Sequence, residues 1–122
     1  MIAYKLVRKA KDGLLYPLFI DKARPYIAGE PREAEFHQTK GFAERFGFHV
    51  TFIPWAPHLK MELASGQKRV WIECWVEGVT TYARPESQGG TWGLAEKLTV
   101  IRELAQEEVE VILKSSVQKK GA

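Results

Sequence analysis

The sequence holds one cysteine, Cys74, and three histidines among its 122 residues. A single cysteine excludes an internal disulfide framework and is typical of a reducing compartment. None of the histidines stands at the spacing of a zinc site, so we predict no metal. The longest apolar runs are far short of the roughly 20 residues of a membrane span, and the alternating first residues predict a strand rather than a signal peptide. We therefore expect a cytoplasmic protein that does not enter a membrane.

The motifs that identify many enzymes and DNA-binding proteins are also missing. The chain contains no Walker or dinucleotide-binding loop and no Gly-x-Ser-x-Gly around a nucleophilic serine. It has no helix-turn-helix, zinc-finger or basic-helix signature. We accordingly predict no cofactor and no specific binding of nucleic acid, and we assign no catalytic residue.

The composition is that of one folded domain. Hydrophobic residues make up 45% of the chain and charged residues 27%, which is ordinary for a globular protein. The net charge is +3 and the pI about 9.0, so the surface attracts anions such as nucleotides or an acidic protein. We interpret residues 1–118 as a single domain and residues 119–122 as a frayed tail.

The stretch from Gly47 to Leu59 predicts a strand with a proline-bent exit. Alternation puts His49 and Thr51 on one face of this strand, opposite an apolar face made by Phe46, Phe48, Val50 and Phe52. Two prolines then end regular structure and carry Trp55 and His58 on the turn. Imidazoles, a hydroxyl and an indole are thereby gathered in one neighbourhood, which indicates a site.

Residues 69–77 give the clearest strand signal in the chain. Its core face consists of Val70, Ile72, Cys74 and Val76. The other face carries Trp71 and Trp75 around Glu73, and two indoles are too apolar to be left in water. We expect the C-terminal helix or a second subunit to cover them; a stacking platform for a nucleotide base is the alternative.

The remaining segments complete an α+β fold. Residues 2–8 and 14–20 predict a hairpin turned at Asp12-Gly13, and a short strand is expected around Tyr26-Ile27. Residues 80–90 are interpreted as a loop, 97–103 as a strand and 105–118 as a helix with Val109, Ile112, Leu113 and Val117 on one side. The sum is a mostly antiparallel sheet of four or five strands with one C-terminal helix.

The candidate ligand-binding residues come from the central strand, its exit and the predicted 80–90 loop. They combine cations, aromatic rings and hydrogen-bonding groups, as an anionic ligand with a base would require. They are His49, Thr51, Trp55, His58, Arg84, Glu86, Gln88 and Trp92, with Lys40 and Arg45 placed to neutralise phosphate.

Three short runs stand out together, and they are Lys40-Gly41-Phe42-Ala43, Gly47-Phe48-His49 with Ala56-Pro57-His58-Leu59, and Arg84-Pro85-Glu86-Ser87-Gln88-Gly89-Gly90. Together they resemble a family of small proteins encoded by bacteriophages and prophages of Gram-positive bacteria. The likeness extends from the first hairpin to about Arg102. Many members have tryptophan where this chain has Phe48, an exchange that should keep the core face intact. The resemblance implies a phage accessory protein but no particular activity.

The order of the segments is also similar to a reduced ADP-ribosyltransferase-type sheet, in which a dinucleotide lies against a split β-core. This likeness concerns the fold alone. Glu86 is the nearest candidate for the glutamate that such enzymes use.

Three functions follow, of which we favour the first. It is a phage-encoded accessory protein, acting against bacterial defence, that binds a small anionic nucleotide-like ligand without turnover. The second is a protein-binding inhibitor of a host factor that docks through Trp71 and Trp75. The third is a nucleotide-processing or ADP-ribosyltransferase-like enzyme that uses His49 or His58 with Glu86. We also expect a homo-oligomer, because the sheet carries more apolar surface than one helix covers.

Overall fold

The computed structural model describes residues 1–17, 24–33, 47–56 and 68–120, with side chains up to 115. Within them the elements are β1 (Ile2–Lys9), β2 (Leu15–Tyr16), β3 (Pro31–Glu33), β4 (Phe48–Thr51), β5 (Lys68–Ala83), a 3-10 turn (Glu86–Gln88), β6 (Thr91–Glu103) and α1 (Gln106–Lys120). All the strand pairs are antiparallel. The predicted α+β class with one C-terminal helix is therefore confirmed.

Four of the strands join into a closed ring. β1 pairs with β5, β5 with β6, and β6 with β4. The pair between Tyr4 and Thr51 then returns from β4 to β1. β2 extends the other end of β1, and β3 lies beside β4 along β6. A sheet that closes on itself hides most of its strand edges, which suits a small domain.

The long hairpin of β5 and β6 reverses its side-chain alternation in the middle. Its register is constant from Cys74↔Val100 to Ala83↔Thr91, yet the side chains that reach the core skip a residue in both strands at Gly78 and Glu96. Gly78 has a φ of 64° there, and a Cβ on it would lie 2.9 Å from the Glu96 Cβ. The two halves of the hairpin thus present opposite alternation, and β1 pairs with one half while β4 pairs with the other.

The ring encloses an inner core of small and branched side chains. Val50, Ile72, Cys74 and Ala95 are fully buried there, and Phe48 packs against them. Gly93 allows close packing at this level, since a Cβ would meet Phe52 and Val79 at 3.0 Å. The core faces predicted for the strands around residues 50 and 72 are confirmed; Phe46 lies outside the described residues.

A second cluster forms between the outside of the ring and α1. Trp71 and Val109 are buried in it, with Ile112 and Leu113 of the helix packed against the cluster, which also holds Leu6, Ala56, Trp92 and Leu104. The helix therefore covers Trp71, as expected, but leaves Trp75 48% exposed, so the expected cover of both indoles is found for only one. The predicted apolar side of the helix is confirmed through Leu113; the side chain of Val117 lies outside the described residues. Glu108 accepts hydrogen bonds from the Ala105 amide and from Arg102 at the first turn, where a carboxylate is favoured.

Two sequence-based assignments of the hairpin were wrong. Residues 80–83 belong to β5 and not to a loop, and β6 begins at Thr91 and not at residue 97. Both errors have the same cause, because Gly78 and the charged Glu96 interrupt the alternation from which strands are predicted. The first hairpin is confirmed where it is described, with Arg8 opposite Tyr16, and the strand expected at Tyr26 is a single bridge to Leu15.

Within the described residues, no helix has the length and apolar character that crossing a membrane requires.

Replacing Gly78 by alanine should destabilise the fold more than the same change at Gly13. Both glycines have positive φ, but a Cβ at Gly13 would meet nothing within 4 Å. We expect Gly13→Ala to cost about 1 kcal/mol, the strain of a left-handed residue. Gly78→Ala should cost about 2–3 kcal/mol because crowding against Glu96 is added. Urea denaturation of the two variants measures the difference, and equal losses would show that the hairpin does not need this close approach.

Candidate functional site

Arg84 lies at the end of β5 with its guanidinium over two aromatic rings. The Cζ atom is 4.9 Å from the centre of the Trp92 ring and 5.9 Å from that of Tyr82. Tyr82 and Trp92 are cross-strand partners, so one row of the hairpin makes the platform. Such contacts orient a guanidinium while leaving its N–H groups directed outward in the ring plane. Among the described residues, no carboxylate forms an ion pair with Arg84.

The turn that follows Arg84 is closed by its own hydrogen bonds. The Arg84 amide donates to the Gly90 carbonyl, while the amides of Gln88 and Gly90 donate to Pro85 and that of Gly89 to Glu86. The double glycine is therefore not an open cradle of N–H groups for a phosphate. Recognition of an anion here depends on the Arg84 side chain.

Gly89 brings this turn against the exit of the central strand. Its φ is 98°, and a Cβ would lie 2.9 Å from the Trp55 carbonyl oxygen and 3.0 Å from Trp92 Nε1. The same indole nitrogen donates to the Gln88 carbonyl at 2.7 Å. The strand exit and the arginine-bearing turn are thus in contact, and Trp55 keeps 40% of its side chain exposed beside them.

His49 reaches the same row from β4. Its Nδ1 lies 2.7 Å from the Tyr82 hydroxyl, and the two rings meet edge to face. Tyr82 therefore contacts both His49 and Arg84. This contact orients the imidazole through Nδ1, so a general-base role for His49 would have to use Nε2.

Thr51 is buried, at 1% exposure, and its hydroxyl stabilises the turn that follows β4. Its hydroxyl lies 2.6 Å from the Ile53 carbonyl, to which it donates, and 3.4 Å from that of Tyr4. The hydroxyl fixes the turn after β4 and the single pair that closes the ring. We therefore assign Thr51 a positioning contribution to the site.

Lys5 supports His49 from inside the ring. It lies between Ala3 and Val7 on the inner face of β1, and its ammonium donates to the His49 carbonyl at 2.8 Å. In the described residues, β1 and β4 share only the Tyr4 pair, so this side chain continues the link between them. Burial lowers the pKa of Lys5 to about 8, which is the response of an ammonium held away from water.

Cys74 is fully buried in the inner core. Burial raises the pKa of its thiol to about 12, so it stays protonated near neutral pH and is a poor nucleophile.

The structure places the predicted residues in three groups. The residues Arg84, Gln88, Trp92, Trp55 and His49 lie around one aromatic row. Thr51 is buried beneath them, and Glu86 is exposed on the 3-10 turn. Lys40, Arg45 and His58 lie outside the described residues.

Two residues of this neighbourhood were missed in the sequence. Tyr82 was assigned to a loop, although Thr80-Thr81-Tyr82 has the β-branched and aromatic character of a strand. Lys5 occupies a core position between Ala3 and Val7, and a lysine at that period is itself a signal of a buried amine.

The predicted docking surface for a protein partner, Trp71 with Trp75, is only partly accessible because the helix covers one of its two indoles. Trp71 is 5% exposed and packs under α1, whereas Trp75 is 48% exposed. The two indoles therefore do not form one accessible face.

Comparisons with known proteins identify no relative. No protein-family model matches the chain, and neither a curated protein nor a solved structure is similar to it. The likeness to phage proteins stays a prediction. Among the described residues, no three His, Cys, Asp or Glu side chains are grouped to hold a metal; His37 and His58 lie outside that part of the chain.

Replacing Lys5 by methionine should flatten the dependence of stability on pH. Because the pKa of Lys5 falls from 10.5 in the unfolded chain to about 8 in the fold, the unfolded chain binds more protons between these values. The free energy of unfolding should therefore rise with pH in this window, by about 1 kcal/mol from pH 7.5 to 9. Below pH 8 the whole cost of burying the charge remains.

Urea denaturation at pH 7.5 and 9 makes the measurement, and Lys11→Met is the control because Lys11 is exposed. The comparison stops at pH 9, since the raised pKa of Cys74 lowers stability between pH 9 and 12. If Lys5→Met and Lys11→Met keep the same slope, Lys5 is not a desolvated ammonium.

Proposed function

We propose that the chain binds a small anionic ligand that carries a base, such as a nucleotide, without turning it over. The observation that supports this most is the way in which two aromatic rings position the Arg84 guanidinium. Its guanidinium is held over Trp92 and Tyr82 and forms no ion pair in the described part of the chain. A guanidinium fixed in this way loses little entropy when it binds a phosphate in a two-point contact.

The exposed indole of Trp55 is the group on which we propose that the base of the ligand stacks. Its backbone is fixed by a hydrogen bond from its amide to the Ile53 carbonyl and by contact with Gly89. A base that stacks on an exposed indole gains about 1–3 kcal/mol. Trp92 has another role, because it is 6% exposed and supports Arg84 from below.

Binding without turnover is favoured by the state of two nucleophilic side chains. The Cys74 thiol is in the inner core with its pKa raised to about 12. The Thr51 hydroxyl is buried and donates to a backbone carbonyl.

On the motif resemblance, we further propose that the protein is a phage accessory factor of the bacterial cytoplasm that sequesters a nucleotide signal of host defence.

Replacing Arg84 by glutamine should remove most of the ligand-dependent stabilisation. For the wild type, a ligand at a hundredfold excess over its Kd should stabilise the fold by about 2.7 kcal/mol. Loss of a charge-assisted hydrogen bond costs about 1.5–3 kcal/mol, so Arg84→Gln should weaken binding by about tenfold to a hundredfold. Thermal unfolding with a panel of mononucleotides, dinucleotides and cyclic nucleotides provides the measurement.

Arg24→Gln is the matched control, because it removes the same charge from an exposed side chain with only a 3.9 Å contact to Glu30. It should behave as the wild type, and Trp55→Ala should weaken ligands with a base more than inorganic pyrophosphate. The proposal is refuted if no nucleotide stabilises the wild type, or if Arg84→Gln responds as Arg24→Gln does.

A further inference from the structure

An apolar row crosses the outer face of the sheet where α1 does not cover it. The row runs through β1, β5, β6 and β3, because Ile2 pairs with Trp75, Trp75 with Thr99, and Thr99 with Pro31. Trp75 is 48% exposed and Ile2 42%, and Pro31 is also exposed. Ile72, Cys74 and Val76 face the inner core on the same strand, so the Trp75 indole is directed away from the ring.

The next row along the strands is charged. Glu77 on β5 lies opposite Lys97 on β6, with Oε2 and Nζ 4.0 Å apart. Both side chains are about half exposed, at 57% and 43%. At this separation in water they add little stability to the chain itself. Both charges are therefore free to exchange partners with another surface.

We infer that this face is the interface of a homodimer, whose two-fold axis runs parallel to β5 and β6 and between them. Such an axis places β5 of one copy over β6 of the other. Glu77 then faces the partner's Lys97, and Lys97 faces the partner's Glu77. Among face-to-face arrangements about a two-fold axis, this one brings the acid of each copy over the base of the other. The exposed Glu33 of β3 lies beside Lys97 in the same row, toward the edge of the sheet.

The side-chain sizes agree with the same axis. Trp75 is placed over the partner's Thr99, so that a large indole meets a small residue. Ile2 is placed over the partner's Pro31, which continues the apolar contact to the edge of the sheet. Aromatic side chains at the centre of an interface with charges at its rim are the usual arrangement of a stable contact. Face-to-face sheets also pack in nearly this orientation.

The other end of the face is closed to a second copy. Arg102 contacts Glu73 at 3.5 Å and also bonds Glu108 in the first turn of α1. The helix then covers Trp71 beyond it. The interface is therefore limited to the rows of Trp75 and Glu77.

Charge reversal in two variants, and in a mixture of the two, tests this arrangement. Glu77→Lys and Lys97→Glu should each turn the attractive contacts into repulsive ones and weaken self-association by about tenfold or more. Mixing the two variants should restore a dimer that holds one copy of each, because every charge then meets its opposite. Sedimentation velocity over a range of concentrations and native mass spectrometry of the mixture report both results.

Two further variants separate the interface from folding. Trp75→Glu should give a monomer, whereas Lys9→Glu is a control that reverses a charge in the exposed pair of Lys9 with Glu103, outside the rows of the interface. Circular dichroism should be unchanged for all. The inference is overturned if the wild type is a monomer throughout the concentration range, if Trp75→Glu associates like the wild type, or if the mixed variants give no heterodimer.

Discussion

The close approach of Gly78 to Glu96 allows one hairpin to serve two neighbours. Without a Cβ at Gly78 the two strands approach closely at Glu96, and the two halves of the hairpin turn different sets of residues inward. The first half pairs with β1 and the second with β4, so a single chain reversal provides both walls of the ring. Closure then needs only one backbone pair, Tyr4 with Thr51, and the Lys5 side chain beside it.

The reversed alternation also explains why the candidate site lies where it does. In the second half of the hairpin, Tyr82 and Trp92 are directed outward in one row, and the next backbone positions carry Arg84 and the glycine turn. On β4, His49 pairs with Leu94 in the neighbouring row, and its imidazole reaches the Tyr82 hydroxyl from there. The arginine is thus positioned by rings that belong to a regular sheet, whereas a flexible turn alone would leave its direction free.

The fold could be predicted from the sequence wherever alternation is uninterrupted. The strand around Ile72 and the apolar side of α1 follow directly from periods of two and 3.6 residues. The continuation to Ala83 could not be read, because Gly78 breaks the pattern locally while its cross-strand partner Glu96 is distant in sequence. The contact of the strand exit with the arginine turn was inferred from residue types alone. The contribution of Tyr82 to this site could not be predicted, because it depends on the pairing register of β5 with β6, which no local sequence pattern contains.

The inferred dimer interface around Trp75 and the proposed ligand site around Arg84 lie at different ends of the hairpin. Trp75 lies on β5 and Arg84 directly follows it, nine residues further on, which corresponds to roughly 30 Å of extended chain. A second copy seated on Trp75 would therefore leave Arg84 and Trp55 accessible, and a dimer would carry two independent ligand sites. Dimerisation would then act on the ligand site only through the hairpin itself. Because the two surfaces share no residue, we expect that coupling to be weak.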